Sequence, residues 1–249
     1  MSTWQFYGRH DAYFGVLSHD RYRHGALTDE ARREFFATGA THVREVLDSC
    51  RRYFGADLPR DKALDFGCGV GRLTLPLASS FDRVVGVDIA PGMLTEARAQ
   101  AATLQLRNVT FCRSLEQLPD SPGTFSFVNS YIVLQHVSRR DGLAYVAAML
   151  RLLGDDGFGA LHVTYARAKD RSGHGVRSIG SRAAQLVAAP FSRLGRKLAR
   201  REPKMDMNTY SLNQVIFMLQ DCGVSAVHAH LTNHGGHLGA ILLFAKGTR

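Results

Sequence analysis

A glycine-rich turn between two short apolar segments constrains the fold of this chain more than any other feature. Residues 63–72 read ALDFGCGVGR, and a second apolar segment at residues 84–87 leads directly into Asp88. The alternating glycines let the backbone approach a ligand without Cβ clashes. In α/β proteins, a strand, a glycine turn, a helix and a second strand followed by a carboxylate hold a nucleoside at the carboxyl edge of a parallel sheet. The sequence therefore predicts a nucleoside-containing cofactor.

The spacing of this turn differs from that of a dinucleotide site. A dinucleotide fingerprint reads G-x-G-x-x-G, and its third glycine lets a helix N-terminus face the pyrophosphate. Here that position is Arg72, and the third glycine comes one residue early, at Gly71. Asp65, two residues before the first glycine, would repel a pyrophosphate and attract a cation. These residues favour a cofactor that carries an ammonium and a sulfonium group.

The glycine motif resembles the first motif of the class I S-adenosylmethionine-dependent methyltransferases, and the resemblance extends over residues 60–165 and, more loosely, over the last 40 residues. It implies that the glycines contact the methionine part of the cofactor and that Asp65 orients its amino group. It also implies that Asp88 and Ile89 hold the ribose and the adenine. The residues assigned to the cofactor in this way are Asp65, Gly67, Cys68, Gly69, Asp88, Ile89, Ser114, Leu115 and Asn129.

One of these positions departs from the family pattern. The family often has an aspartate that caps the adenine amino group where this chain has Ser114. We therefore expect a backbone group near Ser114 and Leu115 to make the adenine contact.

Strands and helices alternate from residue 62 onward, which is typical of a parallel sheet with right-handed crossovers. We expect strands at 63–66, 83–87, 109–113, 125–130, 158–164, 224–231 and 238–245, and a turn at 154–157. Helices are expected at 29–54, 73–79, 93–105, 142–153 and 211–221. The predicted fold is α/β and Rossmann-like, with helices on both faces of a seven-stranded, mostly parallel sheet. In the resembling family the last strand is antiparallel, so the connection at 232–237 would lie at the carboxyl edge.

Length and composition are consistent with one domain over residues 1–249. We divide it into a helical lid (1–58), a cofactor-binding core (59–165), a basic insertion (166–208) and a C-terminal helix with two strands (209–249). The four cysteines form no CxxC pair, and no secretion signal or membrane-spanning run is visible. These features predict a cytoplasmic protein with reduced thiols, with peripheral attachment to a membrane as the alternative.

Residues 165–204 carry the whole net charge of +9, because they hold 11 of the 31 Lys and Arg but two acids. Three interpretations stay open: a solvated flap, a surface for an anionic acceptor or a membrane, and a nucleic-acid surface. A lipid-linked or phosphorylated glycan fits the second. The third is disfavoured, because Phe191 is the only phenylalanine in the segment and no dedicated binding module accompanies it. The apolar residues among these charges suggest amphipathic helices broken at Pro190.

Methyl transfer to a hydroxyl needs an aligned acceptor and a base that removes its proton. Histidine titrates near neutrality, so the candidates are His136, after the fourth strand, and His234 and His237, in the late connection. Structural roles in a loop or a hairpin turn stay open for all three. We assign the acceptor to Tyr13, Phe14 and Tyr131, and a buried aromatic cluster is the alternative for Tyr13 and Phe14. The histidines at 228–237 lack an acidic pair, so no metal site is predicted.

These expectations point to a methyltransferase of the small-molecule branch that acts on a hydroxyl of a sugar, a glycan or a natural product. Two alternatives remain at this point. One is a nucleic-acid or protein methyltransferase whose basic insertion grips its substrate. The other is a non-catalytic module that binds S-adenosylmethionine.

Overall fold

A seven-stranded sheet with helices on both faces forms the body of the molecule in the computed structural model, which describes residues 2–55, 58–118, 122–169 and 202–247. The strands are β1 (Lys62–Phe66), β2 (Arg83–Val87), β3 (Val109–Cys112), β4 (Phe125–Ser130), β5 (Leu153–Arg167), β6 (Val224–His234) and β7 (His237–Lys246). The helices are α1 (Thr3–His10), α2 (Ala12–Val16), α3 (Asp29–Phe54), α4 (Thr74–Leu77), α5 (Pro91–Thr103), α6 (Arg139–Leu152) and α7 (Leu212–Asp221).

The strand order is β3-β2-β1-β4-β5-β7-β6. Strands β1 to β5 pair in parallel, whereas β7 is antiparallel to both of its neighbours. The predicted fold class is therefore confirmed. β6 consequently runs parallel to β5, so the connection between β6 and β7 lies at the carboxyl edge of the sheet.

The core lies on both faces of the sheet. Strand β1 is buried along its whole length, which explains its unbroken apolar run at the centre of the sheet. Helices α6 and α7 cover one face, and α3 and α4 cover the other. Helix α3 begins after Thr28, whose side chain accepts a hydrogen bond from the Ala31 amide, and ends at Gly55.

Several element boundaries differ from the sequence prediction. The expected turn at 154–157 lies within β5, where a register shift opposes Phe125 to Leu153 but Phe127 to Phe158, so these residues form a bulge. The helix expected at 73–79 is reduced to α4. Strands β6 and β7 are longer than predicted and leave only Gly235 and Gly236 as the turn between them.

The amphipathic helices expected around Pro190 lie outside the described residues. None of the helices in the described ranges is both long and apolar enough to cross a bilayer.

Candidate active site

The glycine turn after β1 adopts a backbone that only glycine accommodates easily. Gly67, Gly69 and Gly71 have φ values of +75°, +53° and +85°. The amides of Gly67 and Cys68 donate to the carbonyl of Val87 at 2.7 and 3.0 Å, which ties the turn to the end of β2. The turn is thus a backbone cradle at the carboxyl ends of two neighbouring strands.

Asp88 closes this cradle from the β2 side. Its carboxylate accepts hydrogen bonds from the amides of Gly69 and Ala90, each at 2.9 Å. Burial raises the pKa of Asp88, and the two amide bonds oppose that rise. Each carboxylate oxygen retains a further lone pair for a hydroxyl. Beside it, Ile89 is 56% exposed, an apolar side chain open to a planar ligand.

Asp65 lies beneath the cradle in a buried polar network. Its two oxygens accept bonds from the Thr74 hydroxyl (2.6 Å) and the Asn129 amide (2.8 Å), which links β1, α4 and β4. Burial raises the pKa of Asp65, and these two bonds oppose the shift. Cys68 is also buried, and burial raises the pKa of its thiol. The structure therefore makes Asp65 and Asn129 mutual partners.

The remaining predicted cofactor residues follow β3. Ser114 precedes a short 3-10 turn at Leu115–Gln117, in which Leu115 is buried. Because β3, β2, β1 and β4 are consecutive in the sheet, the ends of these four strands form one continuous edge. All nine predicted cofactor residues lie on this edge.

A polar cluster continues the edge beyond β4. Tyr131 directly follows β4, and its ring centroid lies 4.0 Å from that of His42 in α3, 5.4 Å from that of His162 in β5 and 6.3 Å from that of His234 at the end of β6. The guanidinium carbon of Arg72 lies 5.9 Å from the same ring centroid. We call these five residues the imidazole cluster.

The three histidines of the cluster are held neutral. Burial lowers the pKa of His42 to about 4 and that of His162 to about 3, with a smaller contribution from neighbouring positive charge. Burial also lowers the pKa of His234. Nε2 of His234 is buried and has no hydrogen-bond partner among the described residues. It is therefore a neutral imidazole nitrogen that can accept a proton, if its tautomer leaves that nitrogen unprotonated.

A glycine makes one contact of this cluster possible. Nε2 of His162 lies 2.9 Å from Oγ1 of Thr232 in β6, and the two residues meet across β7 at Gly239. A Cβ at Gly239 would lie 2.6 Å from that nitrogen and 2.7 Å from that oxygen. Because Gly239 has no Cβ, the side chains of His162 and Thr232 can approach each other over β7 and form this bond.

The other two predicted bases have different surroundings. His136 is engaged at both ring nitrogens, because Nδ1 donates to the Asp206 carbonyl (2.7 Å) and Nε2 lies 3.1 Å from the Gln135 amide nitrogen. It anchors residues 202–210, which we call the strap. His237 begins β7 and borders a cleft of about 620 Å³, and its Nδ1 is buried without a partner in the described ranges. Of the three predicted bases, only His234 belongs to the imidazole cluster.

The cleft opens beside the turn between β6 and β7. Its described lining carries three cationic residues, Arg167, Lys169 and Lys204, and one acid, Asp206. The remaining lining residues are Ala168, Met205, Met207, Asn208, Gly235, Gly236 and His237.

The N-terminal helices cover the cradle. The end of α2 lies so close that a Cβ at Gly69 would come within 2.6 Å of a Val16 methyl group. Tyr13, which we predicted to contact the acceptor, is 5% exposed and its hydroxyl donates to Glu96 of α5 at 2.5 Å. Phe14 lies under the Arg23 guanidinium, 3.7 Å from its central carbon to the ring centroid. Both side chains therefore fix the helices in place.

A family model described as "Methyltransferase domain" matches residues 63–157, the segment that contains the cradle, Asp88 and Asn129. Residues 63–157 are therefore similar to a methyltransferase domain.

Solved structures share the fold of this chain. The magnesium protoporphyrin IX methyltransferase ChlM from Synechocystis PCC 6803 with bound S-adenosylhomocysteine is 21% identical, with coverage of 95% and 98% of the two chains and a TM-score of 0.59. The N-methyltransferase NodS from Bradyrhizobium japonicum WM9, also with S-adenosylhomocysteine, is 14% identical over the full length of both chains, with a TM-score of 0.58.

Curated sequences match over a shorter stretch. The 23S rRNA (uracil(1939)-C(5))-methyltransferase RlmD of Klebsiella pneumoniae is 47% identical over 53 residues, which is 21% of this chain. The chain thus spans about 12% of the length of the curated relatives that it matches.

Sequence reasoning did not find Arg72, His42, His162 or Thr232 as site residues. The one available signal was His162, a polar residue inside the otherwise apolar run GALHV of β5. A buried imidazole in such a run requires a partner, which is Thr232 on another strand.

Proposed function

We propose that this methyltransferase moves a methyl group to a hydroxyl of a small polar acceptor of the sugar, glycan or natural-product kind, with His234 as the general base. The observation that carries this proposal is Nε2 of His234, which is buried without a hydrogen-bond partner among the described residues and lies beside Tyr131, the residue that directly follows β4. A hydroxyl is a weak nucleophile at neutral pH, so a positioned base accelerates its reaction.

The carboxyl edge fits S-adenosylmethionine. The cradle offers positive-φ glycines, Asp88 keeps acceptor capacity for ribose hydroxyls, and Ile89 offers an apolar surface for the adenine. Oγ of Ser130 is buried at the end of β4 without a partner among the described residues, so it is free to bond to a polar group of a ligand or to water. Bound S-adenosylmethionine supplies an electrophilic methyl group on a sulfonium. Asp65 gives this edge the negative charge that suits a cationic cofactor.

His234 can remove the acceptor proton because it is uncharged. Burial lowers its pKa, so the imidazole is neutral at pH 7 and can accept a proton at Nε2. His162, with its ring centroid 5.2 Å from that of His234, is held by Thr232 and limits where the His234 ring can move.

The size of the cleft supports a small acceptor, and the N-terminal helices support a site that is covered from solvent. A cleft of about 620 Å³ has the size of a small-molecule site, and its three cations suit an anionic or lipid-linked acceptor. We assign α1 and α2 the role of a lid, because Val16 of α2 lies over the cradle and the Tyr7 hydroxyl of α1 donates to the Pro203 carbonyl of the strap at 3.2 Å. A covered site excludes water and strengthens the electrostatic interactions within it.

The test is transfer of radiolabelled methyl groups to a panel of monosaccharides, uronic acids, sugar phosphates, bulk ribosomal RNA and peptides. Once an acceptor is found, His234→Gln is expected to lower kcat by about 10²- to 10⁴-fold, while the affinity for S-adenosylhomocysteine stays unchanged. His230→Gln is the matched control, since His230 is exposed on the same face of β6. Full activity of His234→Gln would remove His234 as the base, and transfer to RNA alone would overturn the small-acceptor assignment.

A further inference from the structure

Arg72 is a buried cation that lacks a carboxylate partner within the described ranges. It is 7% exposed, its Nη1 donates to the Thr38 hydroxyl at 3.3 Å, and its Nε is buried without a hydrogen-bond partner. The nearby acid Asp65 accepts hydrogen bonds from Thr74 and Asn129, and no ion pair joins it to Arg72 among the described residues. The charge of Arg72 is therefore left uncompensated by any ion pair in the described protein.

Burial lowers the pKa of Arg72, and the nearby Asp65 opposes this shift. The groups of the imidazole cluster itself add no negative charge. Helix α3 contributes Thr38 and, one turn later, His42, whose pKa is lowered by burial and by the charge of Arg72 itself. Tyr131 and the other two histidines of the cluster are uncharged at neutral pH. The imidazole cluster is thus a polar pocket that carries one net positive charge.

The backbone of Arg72 is fixed in this position by tight packing. A Cβ at Gly39 of α3 would lie 2.0 Å from the Arg72 carbonyl oxygen, so α3 contacts this backbone directly. Arg72 also follows the cradle immediately, which holds it between the cofactor edge and Tyr131. The backbone of Arg72 is therefore fixed, and the bond to Thr38 orients its guanidinium.

A buried guanidinium without an anion is costly, because desolvation of the charge is not repaid by a partner. A ligand that brings an oxyanion would repay it through charge-assisted hydrogen bonds, for which the guanidinium geometry is well suited. We propose that Arg72, with His42 and Tyr131 beside it, binds an oxyanion of the acceptor, a carboxylate or a phosphate group. This inference rests on the proposed function for its statement that the ligand is the acceptor, which then carries an acidic group near the methylated hydroxyl.

The binding test needs no turnover. Thermal unfolding is followed with saturating S-adenosylhomocysteine and rising glucuronate, glucose 6-phosphate or uncharged glucose, in wild type, Arg72→Met and Arg44→Met. Arg44 is the matched control, since it is exposed on α3. We expect a concentration-dependent rise of Tm with at least one anionic probe in wild type and Arg44→Met, and none in Arg72→Met. Which probe acts distinguishes a carboxylate from a phosphate.

Arg72→Lys keeps the charge but loses the planar fork, so we expect it to weaken anionic binding by about 10-fold. If Arg72→Met does not fold, Arg72→Lys takes its place in the binding test. An equal response of Arg72→Met and wild type to the anions would overturn the proposal, as would the absence of any response in wild type.

The methionine part of the cofactor also has a carboxylate, so a second binding measurement tests whether Arg72 binds the cofactor and not the acceptor. If Arg72 bound that carboxylate, Arg72→Met would weaken S-adenosylhomocysteine about 10-fold or more but leave 5′-methylthioadenosine, which lacks the group, unchanged. That result would overturn the proposal. If His234 is not the base, His234→Gln retains activity while the rise of Tm with the anion still depends on Arg72. Failure of the proposed base can therefore be told apart from failure of the proposed anion site.

Discussion

Replacing Gly239 by alanine should break the bond between His162 and Thr232 and destabilise the protein. The added methyl would lie 2.6 Å from Nε2 of His162 and 2.7 Å from Oγ1 of Thr232, both closer than van der Waals contact allows. His162 is 1% exposed, so its ring can give way only by disturbing the core. The lost bond leaves a buried polar atom unpaired, which costs about 1–3 kcal/mol, and overpacking adds about 1–3 kcal/mol.

The expected destabilisation is therefore about 2–6 kcal/mol, which corresponds to a fall in Tm of roughly 5–20 °C for a chain of this size. Calorimetry or circular dichroism on the wild type and the variant measures it. Gly25→Ala is the matched control, because a Cβ there meets no atom within 4 Å, and its Tm should stay within about 2 °C of wild type. The double variant Gly239→Ala/Thr232→Ala should lose less stability than the sum of the single changes, since it removes one of the two clashes. A Gly239→Ala protein with the Tm of wild type would refute this account of the cluster.

Three further outcomes follow from the same structure. Asp88→Asn removes the charge that accepts from the Gly69 and Ala90 amides and that we propose binds the ribose, so the Kd for S-adenosylhomocysteine should rise about 10- to 100-fold by calorimetric titration, whereas Asp82→Asn, at the opposite end of β2, should leave it unchanged. His42 and His162 have pKa values of about 4 and about 3 in the folded protein, so as pH falls from about 6.5 towards 4 the unfolded chain binds protons that the folded chain does not. The free energy of unfolding should then fall by about 1.4 kcal/mol per pH unit for each histidine, and His162→Gln should show a shallower slope in denaturant titrations. Tyr210→Phe removes the hydroxyl that lies 2.8 to 3.2 Å from the carbonyls of Leu134, Val137 and Ser138, and unfolding should become easier by about 1–3 kcal/mol; an unchanged Tm would contradict the role of the strap.

The cofactor edge could be predicted from the sequence because its determinants are local. The glycine cradle, Asp88 and the end of β4 each depend on residues within one strand and the turn after it, and the alternation of strands and helices dictates that these turns share one edge. Helix α3 and strand β4 were located within a residue for the same reason, since their periodicity and their caps are short-range patterns.

The imidazole cluster could not be predicted, because its members meet only through the sheet order. His42 and His234 are almost 200 positions apart in the sequence. His162 contacts Thr232 across the antiparallel strand β7, and the register of that strand cannot be read from a local sequence pattern. Arg72 adjoins the cradle, but its burial depends on Gly39 of a distant helix. The assignment of Tyr13 to the acceptor stays a prediction, because an aromatic cluster near a terminus has the same pattern whether it packs or binds.

Calorimetric titration with S-adenosylmethionine, S-adenosylhomocysteine and NAD tests most directly whether the carboxyl edge holds the expected cofactor. We expect micromolar binding of the first two, with one site per chain, and no binding of NAD, because Asp65 and the glycine spacing disfavour a pyrophosphate. Binding of NAD without binding of either sulfur compound would contradict the assignment of the cradle, and with it every role given to the residues around it.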